Sequence, residues 1–285
     1  MRSLLAALLW LVTTALLAVT LPALWAQQHV VSEDGYADLA ASAAKDRALQ
    51  QPMAAELTDR ITAATGTSGT QATLIGAAAN GYTSSDVFPG QFGAINRVAH
   101  RWLFTNDAQG QWEVDLSPML DDGSIRQTLA DFGAQPPQDL QVAITEDAAG
   151  GLRPGQLRPA AVWGPWASIG VAVLTGVFAL LTLAASRRRG KMLGALGVSG
   201  LLVGAAGWAG IEIGRRYVDG ALGRTTGNIR EIAEVMVEHA ISSMHVWLNL
   251  TLTISGGAVI IGVIVSLLSG LGAARREEVP VNRKR

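Results

Sequence analysis

Four long apolar runs punctuate the chain, at Ser3–Trp25, Trp163–Ser186, Met192–Gly214 and Trp247–Ala273. At ~1.5 Å per helical residue, each is long enough to cross a ~30 Å hydrocarbon core. The first follows Arg2 and contains no charge. A cleavable signal peptide is its rival reading, but such a core is shorter, about 7–15 residues, and ends in an Ala-x-Ala-like site. Here the run ends Leu21-Pro22-Ala23-Leu24-Trp25-Ala26, with Leu24 badly placed for cleavage after Ala26. An uncleaved anchor is expected. Trp163 and Trp166 open the second run as an interfacial aromatic belt would, and Arg187-Arg188-Arg189-Gly190-Lys191 ends it. No run has an ionisable residue near its centre, and Glu212 sits at the outer end of the third. Ion or proton carriers keep such groups in mid-membrane, so a carrier is disfavoured.

Between the first two runs the periodicity changes. Tyr36, Leu39, Ala40 and Ala43 recur at helical spacing, and Met53, Leu57 and Ile61 lie four apart. These predict two short helices within Glu33–Ala64, divided at Pro52. Gly66–Ser85 reads as a loop or a weak helix through Ala72–Ala79. Phe88-Pro89 opens another helix, with Phe92, Ile95, Val98, Ala99, Trp102 and Leu103 on its apolar side. Asn106–Gly110 is turn chemistry. Trp112–Leu116 and Leu140–Ile144 alternate as short strands, around a helix from Ser117-Pro118 to about Phe132 that ends at Gly133. Gly150-Gly151 then leads back toward the membrane. Residues 27–162 are thus expected to form a small α+β domain.

Ahead of the fourth run, Asn228–His245 predicts an amphipathic helix. Glu231, Glu234, Glu238, Ser242 and His245 share one narrow face, and Ile229, Ile232, Ala233, Met236, Val237, Ala240, Ile241 and Met244 cover the other. The plain expectation is a helix lying at the membrane interface with its acids solvated. The sharper one makes Glu234, Glu238 and His245 a proton- or cation-responsive face.

Charge distribution adds a sidedness. Charged residues are only 16% of the 285, and mean hydropathy is +0.28. With both termini inside, the inner pieces hold ten basic residues against Glu277 and Glu278 alone, while the remainder holds 12 basic and 21 acidic. The positive-inside rule then places 27–162 and 215–246 outside. The expected architecture is a mainly α membrane protein with four transmembrane helices and an extracytoplasmic α+β domain. Its parts are an anchor (1–26), the domain (27–162), helices 163–186 and 192–214, an external amphipathic helix (215–246), helix 247–273 and a cytoplasmic basic tail (274–285).

The third run carries glycines at small-xxx-small spacing, notably Gly200, Gly204, Gly207, Gly210 and Gly214. The fourth repeats the pattern with Gly262, Ser266 and Gly270. Small residues let helix backbones approach closely in lipid, so these mark a packing interface, either within the bundle or with a partner.

Chemistry-bearing patterns are sparse. There is no cysteine, which removes disulfides, thiolate metal sites and cysteine nucleophiles. The outer domain has 16 acidic and 8 basic groups, so a nucleic-acid footprint is lacking. No phosphate-cradling or dinucleotide-binding fingerprint occurs, and no cofactor or metal is expected. Asp121-Asp122 sits near a helix N-terminus, where carboxylates suit the macrodipole. Asn96, Arg97 and His100 form a conceivable polar site, more simply read as a polar stripe with Arg97 paired to a carboxylate.

Several short motifs resemble a family of uncharacterised actinobacterial integral membrane proteins. They are Trp25, Val30 and Tyr36 after the anchor, Asp59-Arg60-Ile61, Asn96-Arg97-Val98-Ala99-His100, and Asp115-Leu116-Ser117-Pro118-Met119. The high Arg-to-Lys ratio, 19 to 3, agrees with a high-GC source. The resemblance implies an envelope location and no particular activity. The expected function is therefore a non-enzymatic accessory or scaffold subunit of a membrane complex, in contact with the bilayer and with a membrane-protein partner or a second copy. An extracytoplasmic sensor acting through a membrane partner is the alternative. An envelope-processing enzyme built around Asn96–His100 stands third.

Overall fold

The computed structural model describes residues 2–105, 113–120, 122–131, 141–143, 153–186, 188–223 and 227–277. The expected features at 106–110, Trp112, Asp121, 132–133, Leu140, Ile144, 150–151 and Arg187, and the end of the basic tail, lie outside them. Two compact units divide the chain: Met1–Trp25, Trp166–Glu212 and Met244–Arg285 make one, Ala26–Pro165 and Ile213–Ser243 the other.

The first unit draws on four helices: α1 (Arg2–Ala26), α8 (Arg158–Ala185), α9 (Arg189–Leu222) and α10 (Gly227–Glu277). Among the described residues, four helices are long and apolar enough to cross a membrane, at Leu4–Val31, Arg158–Ala185, Arg189–Gly220 and Gly227–Ser269. That is the character of a multi-pass membrane protein. Leu4, Leu8, Leu180, Leu202, Ile260 and Leu267 are among the large apolar side chains left exposed, as lipid-facing surfaces require.

Inside this unit, polar groups sit where helices meet. Thr13 and Thr20 of α1 face Thr182 and Thr175 of α8, at 3.3 and 2.7 Å between Oγ1 atoms. Each of the four hydroxyls also reaches a carbonyl one turn back in its own helix, so none is stranded in an apolar surround. Trp10 Nε1 donates to the Ala195 carbonyl at 2.9 Å, and Thr14 Oγ1 donates to Ser199 Oγ at 2.7 Å, which ties α1 to α9.

The second unit contains a π turn (Gln27–Val31), α2 (Glu33–Ala43), α3 (Arg47–Thr65), α4 (Thr70–Thr83) and α5 (Phe88–Phe104). Then come β1 (Glu113–Asp115), α6 (Ser117–Leu120), α7 (Gly123–Asp131) and β2 (Gln141–Ala143). Ser32 caps α2 by accepting from Gly35 N, and Asp46 caps α3 by accepting from Ala48 N at 2.9 Å. The break between these helices therefore falls at Asp46. Pro52 lies inside α3, buried with Leu49, Met53, Leu57 and Ile61. Residues 66–85, left between loop and weak helix by their composition, contain α4 (Thr70–Thr83); Gly66 at φ +68° caps the end of α3 and Gly69 at φ +63° precedes α4.

The expected α+β domain is corrected to a helical one. Its two alternating segments pair antiparallel over only three positions, Glu113 with Ala143, Val114 with Val142 and Asp115 with Gln141. A two-stranded ribbon of that length cannot bury one face and form a layer. Helices supply the core instead: Leu49, Leu57, Ile61, Tyr82, Phe88, Met119, Leu120 and Ile125 are fully enclosed. Tyr82 donates its hydroxyl to Gln91 Oε1 and meets Phe88 edge-on. Gly93 brings α5 against α2; a Cβ there would stand 2.9 Å from the Ala37 carbonyl.

The boundary expected between an external amphipathic helix (215–246) and a fourth span (247–273) also differs. Residues 228–255 contain neither Gly nor Pro, so nothing interrupts helical hydrogen bonding, and α10 runs unbroken for 51 residues. Its early apolar residues Ile229, Ile232, Val235 and Met236 pack on the helical core. The stripe expected at the membrane interface is thus a wall of the domain.

Candidate functional site

His100 illustrates how the sequence-derived polar site is used. It lies on the inner face of α5, 4% exposed, with Nε2 donating to the Val30 carbonyl at 2.9 Å. Phe104 stacks on its ring at 4.1 Å, and Tyr36 meets it at 5.3 Å. That bond makes Nε2 the protonated nitrogen of a neutral ring and leaves Nδ1 enclosed, without a hydrogen bond among the described residues. Burial lowers the His100 pKa below 6.5, against the opposing pull of the Val30 and Val31 backbone and the Glu33 charge. Arg97 points elsewhere, to Asp34 at 3.0 Å and Glu33 at 3.7 Å, and Arg101 joins Glu33 at 3.6 Å. Asn96 donates Nδ2 to the Phe92 carbonyl at 2.9 Å. The three residues therefore do not converge: His100 fastens α5 to the π turn, and Arg97 is clamped to the start of α2.

The acidic face of α10 is likewise distributed. Glu234 accepts from Arg230 one turn back at 2.7 Å, and Glu238 lies 4.0 Å from Arg215 in α9. Both border a 260 Å³ cleft with Asp219 and Ile241. His245 belongs to the other unit, where it stacks on Trp208 at 3.7 Å with the rings 10° from parallel. Among the described residues, no group of three or more His, Cys, Asp or Glu side chains could hold a metal ion.

No protein-family model matches this chain, and no curated protein or solved structure matches it either.

The expected glycine interface splits in two. Cβ atoms added at Gly200, Gly204 and Gly207 would collide with Ser255, Leu252 and Leu248 of α10, and one at Gly262 would meet the backbone of Gly194 and Gly190. Ser266 sits against Gly190. These contacts lie within the chain and set α9 antiparallel to α10. A Cβ added at Gly210 or Gly214 would meet no other described segment within 4 Å, and the surroundings of Gly270 lie outside the described residues.

A cavity of about 320 Å³ in the domain unit was not anticipated from sequence. Met53 of α3, Phe92 and Ile95 of α5, Met119 of α6, and Ile232 and Met236 of α10 supply its apolar wall. Three polar residues border it: Tyr36, Glu56 and Asn96. Glu56 is 6% exposed and its charge is answered: Arg60 Nε donates to Oε1 at 2.8 Å, and Asn228 Nδ2 donates to Oε2 at 3.3 Å. Asn228 also donates to Asp59 at 3.0 Å, and His239 contacts Ser42 Oγ at 3.0 Å, so polar bonds pin α10 to α3 and α2 beside the cavity. The legible signal was the double role of the Ile229–Met236 stripe, whose spacing suits a domain core as well as a membrane surface.

Proposed function

We propose that the protein is a non-enzymatic, regulatory accessory subunit of a membrane complex in the cell envelope, with its helical domain on the extracytoplasmic side. The observation that carries this reading is the dual composition of α10. One uninterrupted helix supplies the Ile229–Met236 stripe to the domain core and, further along, a membrane-length apolar segment. A change in how the stripe is held has a covalent, helical route into the fourth span. A membrane partner in contact with the fourth span receives the signal. The responsive surface is the apolar face of α10, since Glu234 and Glu238 already have cationic partners.

The skewed distribution of cations supports the outward placement of residues 27–162. The motif-level resemblance to actinobacterial envelope proteins agrees with it. Because the chain has no cysteine, single introduced thiols can report sidedness. A membrane-impermeant maleimide is expected to label Ser84→Cys in intact cells and Ser186→Cys only after permeabilisation. The reverse pattern overturns the orientation.

The decisive experiment is purification of the tagged full chain from native membranes in mild detergent, with mass spectrometry of what remains bound. A stoichiometric membrane protein, retained over an unrelated tagged control, is expected. A chain that purifies alone from several mild detergents and after crosslinking overturns the accessory reading.

A further inference from the structure

We infer that the cavity beneath α10 is a binding site for a small, uncharged lipophile that carries a hydrogen-bond donor at one end, such as a medium-chain or isoprenoid alcohol. The site stands on the cavity itself; only the consequence of filling it for a partner rests on the regulatory reading above.

Size and lining come first. About 320 Å³ is roughly twice an engineered apolar cavity of ~150 Å³ that takes up benzene, and it falls at the lower end of natural small-molecule sites. Along the wall of Met53, Phe92, Ile95, Met119, Ile232 and Met236 water finds no strong partner, and polar atoms lie only at the border with Tyr36, Glu56 and Asn96. Three of those six are methionines, whose unbranched side chains adapt to ligand shape.

The polar rim selects the class. Asn96 donates one of its two Nδ2 protons to the Phe92 carbonyl, which leaves its second N–H and its Oδ1 without a partner among the described residues. A hydroxyl uses both, donating to Oδ1 and accepting from the N–H, whereas a carboxylate can only accept. A carboxylate-ended lipid is disfavoured: Glu56 is already an anion at the rim, and the Arg60 Nε–H is committed to it at 2.8 Å. A cationic amphiphile gains little for the same reason, because Arg60 and Asn228 already satisfy Glu56. A neutral alcohol satisfies both conditions, burying its chain and donating to Asn96.

The test uses the full chain in lipid nanodiscs and a decanol analogue bearing a diazirine, which labels what it touches and so separates the cavity from bulk partitioning. Peptide mapping is expected to find label on residues 92–99 and 229–237. Unlabelled 1-decanol is expected to compete about tenfold better than decanoate, a difference of about 1.4 kcal/mol. Ala99→Phe fills the cavity and abolishes that labelling. Asn96→Leu keeps the volume, retains labelling and removes the preference for the alcohol, so it decides the matter even if the larger substitution unfolds the domain. Label confined to α1, α8, α9 and residues 247–273 of α10, or equal competition by decanoate, overturns the proposal. Specific labelling of a chain that purifies without a partner would leave the site intact and remove the regulatory reading; a partner without labelling would do the opposite.

Discussion

Thr20 Oγ1 and Thr175 Oγ1 lie 2.7 Å apart, and seven residues along each helix Thr13 meets Thr182. Seven residues are close to two helical turns, so both pairs fall on one seam. A shift of one residue between α1 and α8 would turn all four hydroxyls off that seam, so the pairs specify the antiparallel register. Hydrogen bonds of this kind in membranes are worth about 0.6 kcal/mol on average and up to ~1.7. A double-mutant cycle of Thr20→Val and Thr175→Val, read by reversible unfolding in mixed micelles, is expected to give a coupling of about that size. Additive effects would mean that the proximity carries no energy.

The same seam bears on the fate of the first helix. Trp10, Thr13, Thr14 and Thr20 all bond to α8 or α9, so removing α1 would lose four interhelical hydrogen bonds and uncover that seam. The α1 peptide is expected to remain part of the mature protein. Intact-mass measurement of the protein purified from membranes checks this; a mass lacking α1 contradicts it.

Glycines that look alike in sequence are expected to differ in cost. At Gly197 a Cβ would meet the Ser255 carbonyl and the Val259 nitrogen at 2.7 Å, and at Gly262 it would meet two backbone segments, none of which can yield alone. Alanine at either position is expected to destabilise the helix pair by about 1–3 kcal/mol. At Gly204 and Gly207 the obstacles are the ends of Leu252 and Leu248 side chains, and the loss is smaller. Gly210→Ala and Gly214→Ala should be neutral, or stabilising by up to ~1 kcal/mol through helix propensity. Thermal denaturation in one detergent ranks all six; a uniform response would rule out this division.

His100 gives the domain a pH dependence with a defined sign. Its native pKa lies below the free value of 6.5, so the unfolded chain takes up the proton first. The contribution to stability is complete above pH 6.5 and falls as the pH drops from 6.5 through the lower native pKa. His100→Gln is expected to reduce stability near neutral pH and to flatten its decline between about pH 7 and 5. Denaturant midpoints across that range test it. An unchanged slope would mean that other groups govern the acid limb.

At the rim of the cavity, Asn228→Ala removes two donors from Glu56 and Asp59. Arg60 still answers Glu56, so the expected loss is about 1–2 kcal/mol and not the larger penalty of an unpaired buried charge. Hydrogen exchange should quicken locally over residues 227–237. Faster exchange throughout α3, α4 and α5 would instead mean that Asn228 holds the whole domain together.

The membrane-length helices were legible because apolar length is a one-dimensional property, and the core residues Met53, Leu57 and Ile61 because their four-residue spacing is local. Caps at Ser32 and Asp46 were equally present in the residue types, yet Pro52 drew the boundary because proline is the stronger breaker by rule. The strands failed as a fold assignment for a different reason: alternation at Glu113–Asp115 and Gln141–Ala143 is real but too short to make a layer. The neighbours of His100 were hidden, since Val30 is 70 residues away. The cavity was hidden too, because its lining comes from five helices and one of them, α10, follows the domain only after two intervening membrane-length segments.

That last circumstance affects how the protein is made. Residues 26–165 leave the ribosome well before 213–243, with two membrane-length helices synthesised in between. At about 5–20 residues per second, the early portion waits several seconds with the docking surface for Ile229, Ile232 and Met236 uncovered. The growing chain therefore passes through a stage in which a sticky groove is open, and its assembly depends on membrane insertion keeping pace with translation or on a chaperone shielding that groove.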